Sequence, residues 1–96
     1  GTVRIDFAAR EVTVRGKSVS LTPLEFRLLA VLTEHAGQVL SRSQLIDLVW
    51  GQNYSSTGDP VKIYIGYVRK KIEEDPSSPE LIETVRGFGY RYRKAS

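Results

Sequence analysis

Two six-residue stretches of this chain follow one plan. LTPLEF, residues 21–26, and LSRSQL, residues 40–45, each place a hydroxyl residue after a leucine, an acid or amide three positions on, and an apolar residue next to that. A hydroxyl at a helix N-cap accepts from the third helical N–H, the Glu or Gln side chain returns a bond to the cap's own N–H, and flanking apolar groups fix the angle of entry. Thr22 with Glu25 and Ser41 with Gln44 are thus predicted capping boxes. Leu21 with Phe26 and Leu40 with Leu45 are the corresponding staples, and Pro23 suits the first helical position. Two helices therefore start in quick succession. Gly37 and Gly51 are the expected stops, and Leu24, Leu28, Val31 and Leu32 give the first helix an apolar stripe.

A third helix, about residues 59–74, is expected from Asp59 as cap and Pro60 as first residue, with Pro76 preventing continuation. At about 100° per residue, Val61, Ile65, Val68 and Ile72 share the core face. Lys62, Gly66, Arg69 and Lys70 point away, and Ile63 and Tyr67 fall on that outer side as well. Between the second and third helices, GQNYSSTG at 51–58 reads as an exposed polar loop.

Before the helices the period is two. Val3, Ile5 and Phe7, then Val12 and Val14, then Val19 and Leu21 alternate with polar residues, and turns are expected at Ala8 to Arg10 and at Gly16-Lys17. This is a small antiparallel meander with one face packed on the rest. After the helices come two short strands, Leu81 to Arg86 and Gly89 to Arg93, closing a hairpin around Gly87-Phe88. The fold class is α+β, and 96 residues suffice for one domain over 1–96 without disulfide or metal staples.

Several functions are excluded by what is missing. With no cysteine there is no disulfide, thiolate metal site or thiol nucleophile, and no apolar run approaches the ~20 residues that span a bilayer. A cytoplasmic protein without membrane contact is expected. No metalloprotease, phosphate-loop or hydrolase-elbow motif occurs, and the single histidine, His35, falls where a helix dipole favours it. Glu73, Glu74 and Asp75 read as a solvated charge run. Neither an enzyme nor a bound cofactor is expected.

Charge distribution is more informative than the net +3. Arg86, Arg91, Arg93 and Lys94 follow the last acidic residue, Glu83. A basic outer helix face suits the phosphates and base edges of a DNA major groove, and an arginine-bearing hairpin suits a narrow minor groove. The plainer reading of RGFGYRY is a hairpin with Tyr90 and Tyr92 on the core and its arginines solvated. Alternating side chains allow both.

The segments LTPLEFRLLAVL, SRSQLIDLVWG, VKIYIGYVRKKIE and IETVRGFGYRY resemble, in order and spacing, the OmpR/PhoB-type effector domain of two-component response regulators. The resemblance covers nearly the whole chain. It implies a winged helix-turn-helix: an N-terminal antiparallel sheet, three helices with the third in the major groove, and a C-terminal hairpin wing, about 81–93, in the minor groove. It further implies a preceding receiver domain, absent from this sequence and served by a cognate histidine kinase, and tandem dimers on direct repeats of double-stranded DNA.

Residue by residue, Arg86 matches the wing arginine of the minor groove and Thr84 a backbone-contacting position. Arg69 and Lys70 match the basic pair of the recognition helix, Ile63 an apolar groove-facing position, and Tyr64 one that meets the backbone. Trp50 matches a tryptophan that touches phosphate, with a core anchor as the other reading. Loop 51–58 matches a segment that meets RNA polymerase in some members, with a simple connector as the other reading. The pattern breaks at Asp59, Pro60, Lys62 and Tyr67, so the base sequence read here is not inherited from a relative. A domain of this kind used for protein contact, through Ile63 and the tyrosines, is the alternative function.

Overall fold

The computed structural model describes residues 3–51 and 60–94. Strands β1 (Val3–Asp6), β2 (Glu11–Val14) and β3 (Lys17–Val19) form the expected antiparallel meander in the order β1-β2-β3. Its second turn is displaced by one residue from the expected place. Arg15 and Gly16 both take positive φ, 49° and 81°, which matches the twist of the strands they join, so Lys17 already belongs to β3 opposite Val14.

Helix α1 (Pro23–Glu34) and helix α2 (Arg42–Leu45) begin as read, each with both bonds of its capping box present. The buried face of α1 is wider than the stripe expected. Leu28 and Leu32 are buried, Leu24 and Val31 are half-buried, and Phe26, Leu29 and Ala30 are buried too. The second helix differs beyond its first turn: Ile46–Trp50 is a π-helical turn, closed by the Gly51 N–H donating to the Ile46 carbonyl at 2.9 Å. We find no sequence signal for it. Helix α3 covers Pro60–Ile72, so Glu73 and Glu74 lie past its end, and Asp59 and loop residues 52–58 lie outside the described residues.

The second sheet, order β4-β6-β5, contains a strand that the sequence reading lacked. β4 (Val39–Leu40) pairs with β6 (Gly89–Tyr92), which pairs with β5 (Ile82–Val85). Two residues are too few to display alternation, so only the pairing defines β4. Gly89, at φ 148°, lies where a Cβ would collide with the Leu40 carbonyl, and this close crossing ties the hairpin to the start of α2. Leu28, Leu29 and Leu32 of α1 and Val61, Ile65, Val68 and Ile72 of α3 meet Leu45, Ile82 and Tyr92 in one core.

Candidate nucleic-acid interface

Helix α3 is held on two flanks and exposed between them. Positions 69 and 73 are one turn apart on a single face, and both grip the hairpin. The Glu73 carboxylate accepts from the backbone N–H groups of Glu80, Leu81 and Ile82 at 2.8 to 3.1 Å. The Arg69 guanidinium donates to the Ile82 carbonyl at 2.7 Å and to Thr84 Oγ1 at 2.8 Å, and sits 5.8 Å from the Tyr90 ring centroid. Ile82 thus has its N–H satisfied by Glu73, just past the end of α3, and its C=O by Arg69 on α3. The hairpin is bolted to the helix before its tip begins.

On the other flank, Lys71 Nζ donates to the Glu25 carboxylate at 2.6 Å. Burial pushes the Glu25 carboxyl up, but bonds from Lys71 and Thr22 together with the Lys71 charge outweigh it and leave it below the usual range. Glu25 therefore serves both the α1 capping box and the seating of α3. Further along the same flank, the Trp50 and Tyr64 rings meet edge to face at 5.6 Å, and Tyr64 meets Tyr67 likewise at 5.3 Å. This aromatic chain leads from the core, against which Trp50 and Tyr64 pack half-buried, to the outer surface of α3.

Between these flanks lie Lys62, Ile63, Tyr67 and Lys70, all exposed, with half-buried Gly66 among them. Ile63 is 53% and Tyr67 45% exposed, and four residues apart on the helix they stand side by side. At the hairpin end, Arg86 and Phe88 are exposed, the latter at 73%, and Thr84 is exposed on β5. The residues singled out from sequence therefore fall into three sets: Lys62, Ile63, Tyr67 and Lys70 on the outer helix face, Thr84 and Arg86 on the wing, and Trp50 and Tyr64 along one flank.

Arg69 requires correction. It does not point outward with Lys70; it turns into the helix–wing junction, where burial lowers its guanidinium pKa from the ordinary value and its Nε is buried without a hydrogen-bond partner among the described residues. Glu73 also requires correction. Glu74 and Asp75 are exposed, but Glu73 is 5% exposed and capped by backbone N–H groups, so it is no part of a solvated run. Its role was missed because the three N–H groups it collects lie beyond the loop at 76–79, and no spacing rule links them to it.

Sheet, two closely spaced helices, an exposed third helix and a hairpin bolted beside it define the winged helix-turn-helix class. The sequence family described as "Transcriptional regulatory protein, C terminal" matches residues 16–92, and the chain belongs to it. It is 46% identical over 93 residues to the transcriptional regulatory protein PrrA of Mycobacterium leprae, covering 97% of this chain and 40% of PrrA. Among solved structures, the Klebsiella pneumoniae RstA DNA-binding domain in complex with the RstA box superposes with a TM-score of 0.87 at 33% identity, covering 97% of this chain and 92% of that one. DrrB of Thermotoga maritima, an OmpR/PhoB homologue, gives 0.89 at 34% identity over 98% of this chain and 42% of its own. The chain thus spans 40% of the length of PrrA. No helix among the described residues is long and apolar enough to cross a membrane.

Proposed function

We propose that this chain, as one domain over residues 1–96, is the sequence-specific DNA-binding output domain of a two-component response regulator that controls transcription in the cytoplasm. The observation that carries this reading is the pairing of two exposed surfaces joined by side-chain hydrogen bonds. The outer face of α3, with Lys62, Ile63, Tyr67 and Lys70, is bolted through Arg69 and Glu73 to a wing that carries Arg86. A helix fits the major groove, and an arginine on a narrow ribbon fits the adjacent minor groove, whose potential is most negative. Lys62 and Lys70 contact phosphates or guanine, Ile63 and Tyr67 face the bases, and Thr84, Tyr64 and Trp50 line the backbone. The RstA complex, with a DNA box on a domain of the same fold, supports this arrangement.

Tandem protomers on direct repeats, a receiver domain addressed by a histidine kinase, and contact of loop 51–58 with RNA polymerase complete the proposal, which assigns no catalysis. Random-site selection with the 96-residue chain, followed by footprinting, tests it. A repeated motif is expected, with log affinity falling linearly and steeply against log salt and a several-fold loss on Arg86→Ala. Recovery of no motif, with salt-insensitive binding to a protein partner, would favour protein contact instead.

A further inference from the structure

Gly66 sits in the middle of α3, and nothing among the described residues requires a glycine there. A Cβ built at this position meets no atom of the other described residues within 4 Å beyond the helix's own backbone, whereas the one at Gly89 would collide with backbone. The residue has no positive φ that would exclude an L side chain. Within a helix, glycine costs stability relative to alanine through backbone entropy. The described part of the domain offers no return for that cost, and close approach of a partner to the helix backbone would supply one.

The neighbours of position 66 on the helix surface are Lys62, Ile63, Arg69 and Lys70, three or four residues away. Arg69 is committed to the wing, so the notch opens beside the wing junction and is rimmed by two lysines and an isoleucine. The outer face at 62, 63, 66, 67 and 70 carries lysines, which can reach guanine, only at its edges, and holds no arginine, amide or carboxylate side chain. What it presents at its centre is apolar surface and a gap. In the major groove, the matching feature is the thymine 5-methyl group.

We propose that Gly66 is a specificity-determining residue whose missing side chain lets α3 settle against a thymine, seating the 5-methyl group in the notch beside Ile63. This rests on the DNA-binding reading above. The test uses the duplex recovered by selection, with each thymine replaced in turn by deoxyuridine, which removes only the methyl group. Wild type should lose about fourfold in affinity at one or two positions, the value of one buried methyl. Gly66→Ala should bind the parent duplex at least about tenfold more weakly and be insensitive to deoxyuridine at those positions, while its Tm rises by about 4 °C, which separates lost fit from lost folding. Unchanged affinity of Gly66→Ala, or no deoxyuridine position that weakens wild type, overturns the inference while Arg86-dependent DNA binding stands. Failure of wild type to bind any duplex overturns both.

Discussion

Glu73→Gln is the substitution that separates the observed structure most sharply from a surface reading of the same acid. The amide keeps the size and shape of the side chain but exchanges one acceptor oxygen for a donor. In wild type, Oε1 accepts from Glu80 and Leu81 at 2.9 Å each, and Oε2 accepts from Leu81 at 3.1 Å and Ile82 at 2.8 Å. Whichever way the amide turns, the N–H of residue 80 or 82 faces another donor. A hydrogen bond to a charged group contributes about 1.5–3 kcal/mol, and a buried donor left unpaired costs about 1–3 kcal/mol. A net destabilisation of about 3 kcal/mol follows, or roughly 12–24 °C in Tm at about 4–8 °C per kcal/mol for a domain of this size. Chemical and thermal denaturation measure it. Amide hydrogen exchange should quicken at Leu81 and Ile82, because the start of the wing loses its anchor. Exposed Glu74, changed in the same way, should stay within about 0.5 kcal/mol of wild type. Equal, small effects at positions 73 and 74 would refute the anchoring role.

Two further outcomes bear on the same junction. A double-mutant cycle of Arg69→Lys and Thr84→Val should give a coupling of about 0.5–1.5 kcal/mol, since lysine lacks the fork that serves Ile82 and Thr84 together; strict additivity would show that the bond contributes nothing. Burial, aided by the Glu73 charge, pushes the Tyr92 hydroxyl from 10.0 to about 12. The unfolded chain then ionises first, so stability should hold below pH 10 and fall between pH 10 and about 12. Tyr92→Phe should abolish that alkaline step in a denaturation series, and an unaltered step would assign it to another group.

The surface ion pair of Arg91 with Glu83, at 3.2 Å and directly across the hairpin, belongs to a different category. Both side chains are about two-fifths exposed, so solvent and salt screen the pair and it contributes little beyond register. The wing's attachment rests on half-buried Arg69 and buried Glu73.

Much of the architecture was written locally. Both capping boxes and their staples involve residues three to five apart, the meander shows itself by alternation, and the core stripe of α3 at Val61, Ile65, Val68 and Ile72 follows from helical spacing alone. The outer face with Lys62, Ile63, Tyr67 and Lys70 is the complement of that stripe and was equally legible. Tertiary structure decided what depends on partners far along the chain. β4 exists only because Val39 and Leu40 pair with Arg91 and Tyr90. Glu73 is an anchor and not a solvated charge because the chain returns three N–H groups to it after a loop. Arg69 left the outer face because the Ile82 carbonyl and Thr84 arrive beside it. A long polar side chain has no fixed direction until its partner is in place, whereas an apolar stripe is oriented by water exclusion as soon as the helix forms.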